Sequence, residues 1–269
     1  MAIPRFLVDR LEEQGTVMLG ESESHHAARV LRMEVGQACV VFDGQGYEAA
    51  GVIETVDKKS VRVTYPLRTF APRDHQDRLH FAIAMPKGDR QRNVIEKLVE
   101  LGVDRLTPIE TDRSVSKFDD DAIDRLRRYV VEASKQSQRN RLMQIDSCSG
   151  WKDWLSSAAS RPECSAWVLH PRLLLETEHS GVRIVHRDEF LSSQPTSGSN
   201  GSSIHRWVFA VGPEGGFTKQ EISQAVEAGL SILDLGDRIL RVETAVSVAA
   251  TLGSIASNSM YQLAKGRPQ

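Results

Sequence analysis

One segment constrains the chain more than any other: the apolar stretch Arg206 to Val211, which runs directly into Gly212-Pro-Glu-Gly-Gly216 and then Thr218-Lys-Gln-Glu221. The apolar stretch predicts a strand. Three glycines and a proline predict a tight loop, where backbone approaches a ligand closely or takes positive φ. Thr218 and Glu221 have capping-box spacing, so a helix opens there, with Ile222, Ala225 and Val226 on it and a stop at Gly229. In open α/β sheets ligands bind beyond the carboxyl ends of the strands, and this loop lies at one. Taken alone it reads equally well as a tight turn that needs glycine. It is not a P-loop, since no Gly-Lys-Ser/Thr follows, and it is not the dinucleotide fingerprint Gly-x-Gly-x-x-Gly.

The same rhythm starts at Leu79. Leu79 to Met85 predicts a strand and Pro86-Lys-Gly-Asp89 a loop. Asn93 to Leu101 predicts a helix with Val94, Ile95, Leu98 and Val99 inward and Gly102 as its stop. Leu106 to Ile109 predicts a strand, Asp119 to Gln136 a helix with Ile123, Leu126, Val130 and Ala133 inward, and Trp167 to His170 a strand. Ile232 to Leu235 predicts a further strand and Glu243 to Ala256 a final helix rich in small residues. Repeated strand, loop and helix give an α/β domain with a mainly parallel sheet. Ser192 to Ser203 is a Ser/Gly-rich run expected to be a surface loop.

The first 70 or so residues differ. Ala38 to Asp43, Tyr47 to Glu54 and Val61 to Tyr65 read as short strands, and Asp43-Gly44 as a turn. A helix over Ser24 to Met33 would place Ala27, Val30 and Leu31 on one face. Several strands and one helix suggest a small barrel. The polar run Ala71 to Arg78 marks a boundary, giving domains 1–72 and 73–269.

A net charge of −2 singles out no partner, so any nucleic-acid reading rests on local basic patches. Cys39, Cys148 and Cys164 form no Cys-x-x-Cys pair, which predicts free thiols and no metal site. No apolar run approaches the roughly 20 residues of a membrane helix. A cytoplasmic protein with no membrane contact is the expectation.

Two further strand ends carry candidate chemistry. Leu235-Gly-Asp-Arg-Ile-Leu-Arg-Val-Glu-Thr-Ala245 joins a strand to a helix, with Arg238 and Arg241 flanking the apolar Ile239 and Leu240. A merely solvated loop would leave those apolar residues exposed, which favours a site. Leu169-His170-Pro171 lies at another strand end and is weak alone, because a lone histidine is usually structural.

Together these segments resemble the three cofactor loops of the RsmE family, SPOUT-superfamily methyltransferases acting on N3 of a uridine in small-subunit (16S) ribosomal RNA. His26-x-x-Arg29-Val-Leu-Arg-Met33, Phe42-Asp-Gly44, Lys87-Gly-Asp89, Glu96-Lys97 and Glu100-Leu-Gly-Val103 agree with it, from Ile3-Pro-Arg5 onward. The resemblance implies a PUA-like RNA-binding barrel over 1–72 and a SPOUT α/β domain over 73–269. A deep trefoil knot and the cofactor site would occupy about 165–258. It also implies a homodimer. S-adenosylmethionine would be bound by Leu169, His170, Gly212, Pro213, Glu214, Gly215, Gly216, Leu235, Gly236, Ile239, Leu240, Thr244 and Ala245.

Methylating N3 requires loss of its proton, and a cation near the developing charge lowers the barrier. Arg241 and Arg139 are the candidates. Glu243 is either the base or a helix-start residue that holds Arg241. Arg29, Arg32, Lys87, Arg113, Arg139 and Arg141 are expected to contact RNA. Arg68, Arg73, Arg125, Arg127, Arg128 and Lys135 add basic charge, although Asp119, Asp120, Asp121 and Asp124 suit a solvated face as well.

The chain departs from the family pattern Glu-Gln-Ser/Cys-Gly-Arg, reading Lys135-Gln-Ser-Gln138-Arg139, and has Pro86 where serine is usual. Two rival functions fit part of the sequence: a ribose 2′-O methyltransferase with similar loops, and a non-catalytic RNA-binding ribosome-assembly factor.

Overall fold

The computed structural model describes residues 3–57, 60–75, 77–158, 164–171, 184–191 and 205–264, with side chains as far as 257. The Ser/Gly-rich run at 192–203 lies outside them. By contact the chain divides into two units. One is Met1–Asp74 with Val131–Leu142; the other is His75–Val130 with Met143–Gln269. The segment 131–142 therefore belongs with the N-terminal unit, which the polar run at 71–78 gave no means of seeing.

In the first unit, β1 (Arg5–Leu7), β2 (Gly15–Met18), β3 (Ala38–Phe42), β4 (Tyr47–Val56), β5 (Val61–Tyr65) and β6 (Thr69–Phe70) form one sheet. Its order is β1-β3-β4-β5-β2, with β6 on β4. In β5, Val61, Val63 and Tyr65 point into the core while Arg62 is exposed, the period-2 pattern of a half-buried strand. Phe6, Leu11, Val41 and Ile53 complete that core. Asp43 Oδ1 accepts from the amides of Gln45 (2.8 Å) and Tyr47 (3.1 Å), which makes the turn between β3 and β4.

The helix expected over Ser24 to Met33 is corrected. It is α1 (Glu21–His25) followed by one π-helical turn over His26–Val30, where the amide of Leu31 donates to the carbonyl of His26 at 2.9 Å. The wider winding keeps Ala27 buried but swings Val30 and Leu31 out to 61% and 42% exposure. A face counted at 3.6 residues per turn fails where the winding changes.

The second unit contains β7 (Arg78–Ile83), α2 (Arg90–Glu100), β8 (Arg105–Glu110) and the start of α3 (Asp120–Ser137). Then come β9 (Gln144–Ile145), β10 (Ser149–Gly150), α4 (Trp151–Ala158), β11 (Cys164–Leu169), β12 (Ile184–His186) and α5 (Arg187–Phe190). The chain continues with β13 (Arg206–Val211), α6 (Lys219–Glu227), β14 (Ser231–Asp234) and α7 (Val242–Ala264). The sheet order is β10-β8-β7-β13-β11-β14-β12, with β9 on β8, and each described pairing is parallel. β13 is buried from Trp207 to Val211, as expected of a strand covered on both faces.

One face of the sheet carries Ala82, Val168, Val208, Ala210 and Ile232 against Trp154, Leu155, Ile222 and Ala225. On the other, Phe81 stacks on Phe209 at 5.1 Å. Here α7 lies close: a Cβ on Gly253 would stand 3.0 Å from Leu79 Cδ2 and 3.1 Å from Phe209 Cε2. Ala249 and Ala250 are fully buried within this one chain, so the small residues of α7 serve packing in the subunit. The helix also runs eight residues past the Ala256 read from sequence. Among the described residues no helix is long and apolar enough to cross a membrane.

At the end of α3, the amide of Arg139 donates to the Ser134 carbonyl at 3.0 Å, and Gln138 takes φ 59°. That is the left-handed helix-stop position at which glycine is favoured, and it explains the glycine of the family pattern. Lys135 pairs with Glu23 at 2.5 Å, both largely buried. Burial pushes the Glu23 carboxyl up, against the Lys135 charge.

In the second unit, Asp146 accepts from Arg105 (Nε 2.8 Å, Nη2 2.7 Å) and from the Thr107 hydroxyl at 2.5 Å. Burial would raise its pKa, but these bonds and the Arg105 charge outweigh burial and hold it below its ordinary value.

Two stability predictions follow from these sites. Gln138→Gly relieves the left-handed strain and adds chain entropy, so it should raise stability by roughly 0.5 kcal/mol, while Gln138→Val should lower it by about 1 kcal/mol; thermal midpoints decide. Asp146 has a depressed folded pKa, so its contribution is present above an unfolded pKa of about 4 and is lost as pH falls below it. Allowing for partial exposure, Asp146→Asn should cost about 1 kcal/mol at neutral pH, and the gap from wild type should close as the pH falls through the depressed folded pKa in urea titrations.

Candidate functional site

β13, β11 and β14 are parallel neighbours, and Leu169 pairs level with both Val211 and Leu233. Three separated segments therefore leave the sheet side by side at one height. Between them lies a cavity of about 390 Å³, lined by Leu169, His170 and Pro171, by Val211 through Phe217, and by residues from Leu233 through Ala245. That size suits a cofactor or metabolite.

Each loop has a local cause. A Cβ on Gly212 would stand 2.9 Å from Phe217 Cδ2 and 3.2 Å from the Phe217 nitrogen, so only glycine lets this loop fold back on itself. The Phe217 ring continues onto Trp151, with centroids 4.7 Å apart. The Gly216 amide donates to the Pro213 carbonyl at 2.8 Å, closing the turn. The capping box forms as the spacing predicts: the Thr218 hydroxyl accepts from the Glu221 amide, and Glu221 Oε2 accepts from the Thr218 amide at 2.7 Å.

After β14, the chain turns at Gly236, whose φ of 116° is closed to side chains other than glycine's. The Gly236 amide donates to Asp234 Oδ1 at 3.1 Å. Arg241 directly precedes α7, its carbonyl accepting from the amides of Thr244 (3.0 Å) and Ala245 (2.9 Å). His170 is buried, and its amide donates to the Leu233 carbonyl at 3.2 Å.

The lining is apolar along Leu169, Val211, Leu233, Leu240 and Ala245, and charged at Glu214, Asp234, Arg238 and Arg241. Ile239 is 72% exposed at the cavity edge, an apolar side chain offered to an occupant. The outer side of the glycine loop is held as well. Arg90 forms an ion pair with Glu214, and Arg113 Nη1 donates to the Gly215 carbonyl at 2.7 Å.

The structure thus brings together every residue expected at the cofactor except Thr244, which is exposed on α7. Phe217, Leu233, Asp234 and Val242 line the cavity without having been singled out. Each flanks a motif, and the level strand ends could have pointed to them. Arg241 lines the cavity; Arg139 does not. Arg139 is buried in the first unit, with its Nε 3.2 Å from Asp74 Oδ1, and Arg141 reaches Asp74 Oδ2 at 2.9 Å. Arg139 is thus desolvated onto a carboxylate, which corrects its reading as an exposed RNA contact.

Glu243 is half-buried in the first turn of α7. Its Oε2 is buried with no hydrogen-bond partner among the described residues, and no described contact joins it to Arg241. Arg29, Arg32, Lys87 and Arg113 are exposed. Arg32 takes φ 53° directly after the π-helical turn. Among the described residues no group of three or more His, Cys, Asp or Glu side chains is arranged to hold a metal ion.

Comparison with known proteins matches residues 73–254 to the RNA methyltransferase domain family and 19–64 to the RNA methyltransferase PUA domain. The ribosomal RNA small subunit methyltransferase E of Bacillus subtilis is 29% identical over 240 residues, 88% of each chain. The methyltransferase E of Neisseria gonorrhoeae, solved with S-adenosylmethionine, is 25% identical with a TM-score of 0.77, covering 93% of this chain and 95% of that one. Lpg2936 of Legionella pneumophila, also solved with S-adenosylmethionine, is 27% identical with a TM-score of 0.78, covering 94% and 97%. With the family matched along most of its length, this chain belongs to the RNA methyltransferases of the RsmE family.

Proposed function

We propose that this protein transfers the methyl group of S-adenosylmethionine to N3 of a uridine in 16S ribosomal RNA. The carrying observation is the single cavity that three separated loops build at level strand ends. Its residues fit the cofactor: an apolar wall for the adenine, glycine backbone for close approach, and charged groups of both signs for the amino-acid end. The names of the relatives supply small-subunit ribosomal RNA as the substrate; uridine N3 is what the family resemblance implies.

S-adenosylmethionine supplies an electrophilic methyl carbon, and the protein does the rest. Leu169, Val211, Leu233 and Ala245 exclude water. Loss of the N3 proton spreads negative charge over N3 and its flanking carbonyl oxygens, and Arg241, at the cavity, stabilises it. Glu243 is absent from the described lining of the cavity and sits in the first turn of α7, which supports the helix-start role over that of the base.

Residues 1–72 act as the RNA-binding domain and 73–269 as the methyltransferase, with Arg29, Arg32 and Arg141 of the first unit, and separately Lys87 and Arg113 of the second, contacting RNA phosphates. The proposal includes a homodimer, a cytoplasmic location, and a trefoil knot within about 165–258. Supporting the knot, β11 lies between β13 and β14, so the chain recrosses β11 after β13. The target base must be unstacked to present N3.

Calorimetry should show S-adenosylmethionine binding that Leu240→Arg abolishes. Small ribosomal subunits treated with the enzyme and labelled cofactor should yield N3-methyluridine on nucleoside digestion. Ribose-methylated nucleosides would overturn the base assignment. Cofactor-bound protein that transfers nothing would favour an assembly factor. Arg241→Ala should lower kcat by roughly 10²-fold with cofactor affinity retained.

A further inference from the structure

Arg113 lies outside the glycine loop's own sequence, in the turn after β8, yet it holds that loop. Its Nη1 donates to the Gly215 carbonyl at 2.7 Å, and its side chain runs beneath the loop, 3.3 Å from where a Gly215 Cβ would be. The peptide plane makes this contact reach further. Fixing the Gly215 carbonyl fixes the direction of the Gly216 amide, which donates to Pro213 and closes the turn.

What places Arg113 is Glu221. That carboxylate is 3% exposed and serves two loops at once. Oε2 accepts from the Thr218 amide at 2.7 Å, and Oε1 accepts from the amide of Asp112, the residue before Arg113, at 2.8 Å. A capping-box glutamate ordinarily reaches back only to its own helix start. Here its second oxygen ties the β8 turn to the glycine loop.

We infer that Arg113 is a positioning residue for the cofactor, set in place by Glu221, and that the turn Thr111–Ser114 is a fourth element of the cofactor site. The physical reason is entropy. A loop with three glycines has wide conformational freedom, and ordering it on cofactor arrival opposes binding. Arg113 holds the ordered form beforehand, so affinity is gained without direct contact with the cofactor.

The inference rests on the reading of the cavity as an S-adenosylmethionine site, and the test separates the two. Calorimetry without RNA is run on wild type, Arg113→Ala and Arg113→Lys. Arg113→Ala should weaken S-adenosylmethionine roughly tenfold, the cost of ordering about one residue. Because Arg113 is exposed, its thermal midpoint without cofactor should stay near wild type. Lysine can still donate one hydrogen bond, so Arg113→Lys should recover affinity to within roughly threefold of wild type. In turnover, KM for the cofactor should rise more than kcat falls. Glu221→Gln, which keeps one acceptor oxygen, should give an intermediate loss. Unchanged cofactor affinity in Arg113→Ala, or a rise only in the KM for RNA, would overturn the inference and leave Arg113 as an RNA contact. Wild-type protein that takes up no cofactor would overturn the reading of the cavity itself.

Discussion

Register between three strands decides what this molecule can do. Leu169 ends β11 level with Val211 on one side and Leu233 on the other, so chain segments 22 to 64 positions apart emerge together. A parallel ladder holds that height through backbone hydrogen bonds, independent of side chains at the loops. A shift of one pair would move a loop about 3.3 Å and turn its first side chain to the other face. The cavity therefore depends on the sheet, and the sheet on the buried apolar run of β13 and the small residues beside it. Gly253 and the paired alanines of α7 let the last helix lie on Leu79 and Phe209 without displacing the strands.

A second layer of constraint turns loose glycine loops into a fixed wall. Phe217 is pinned in the aromatic group with Trp151 and Trp154, and Gly212 is the residue that allows it to fold there. Arg90 and Arg113 grip the outside of the loop, while Glu221 joins its far end to the turn after β8. Flexibility needed for close backbone approach is thus confined by contacts made away from the ligand face. Among the described apolar lining residues Ile239 alone is left strongly exposed, which is consistent with a part of the wall completed by what binds there.

Much of this was legible in the sequence because it is local. Capping-box spacing at Thr218 and Glu221 reports a hydrogen-bond pair three residues apart, and the glycine loops report backbone geometry directly. Less was legible where the cause is distant. Nothing near Arg139 announces that Asp74, 65 positions earlier, meets its guanidinium, so a cation read as catalytic is found buried on a carboxylate. Phe217 and Asp234 line the cavity because of strand register, which composition does not encode. Val30 and Leu31 are apolar at helical spacing, and the π-helical turn that exposes them has no sequence mark at all. The second acceptor bond of Glu221 is equally hidden, since its partner lies 109 residues away.

The departures at the end of α3 show the same division between local and distant causes. Where the family pattern has glycine, Gln138 still adopts the left-handed conformation, and the Arg139 amide still closes the helix on Ser134. The backbone path is kept at a cost of order 1 kcal/mol, which neighbouring contacts must offset. They are present: Asn140 bonds the Ala71 carbonyl at 2.6 Å and its own carbonyl takes the Gly46 amide at 3.0 Å, while the Leu142 amide reaches Gly44 at 2.9 Å. Lysine at 135 reverses the charge of the family residue, yet Glu23 meets it at 2.5 Å in a nearly closed environment, so the reversal is balanced on site. Removing Lys135 would leave the Glu23 carboxylate with little access to water, whereas without Glu23 the Lys135 ammonium keeps Glu132 at 3.0 Å. Both departures are therefore absorbed within the N-terminal unit, and their consequences belong to its stability, while the cavity at the strand ends is lined by residues of the second unit.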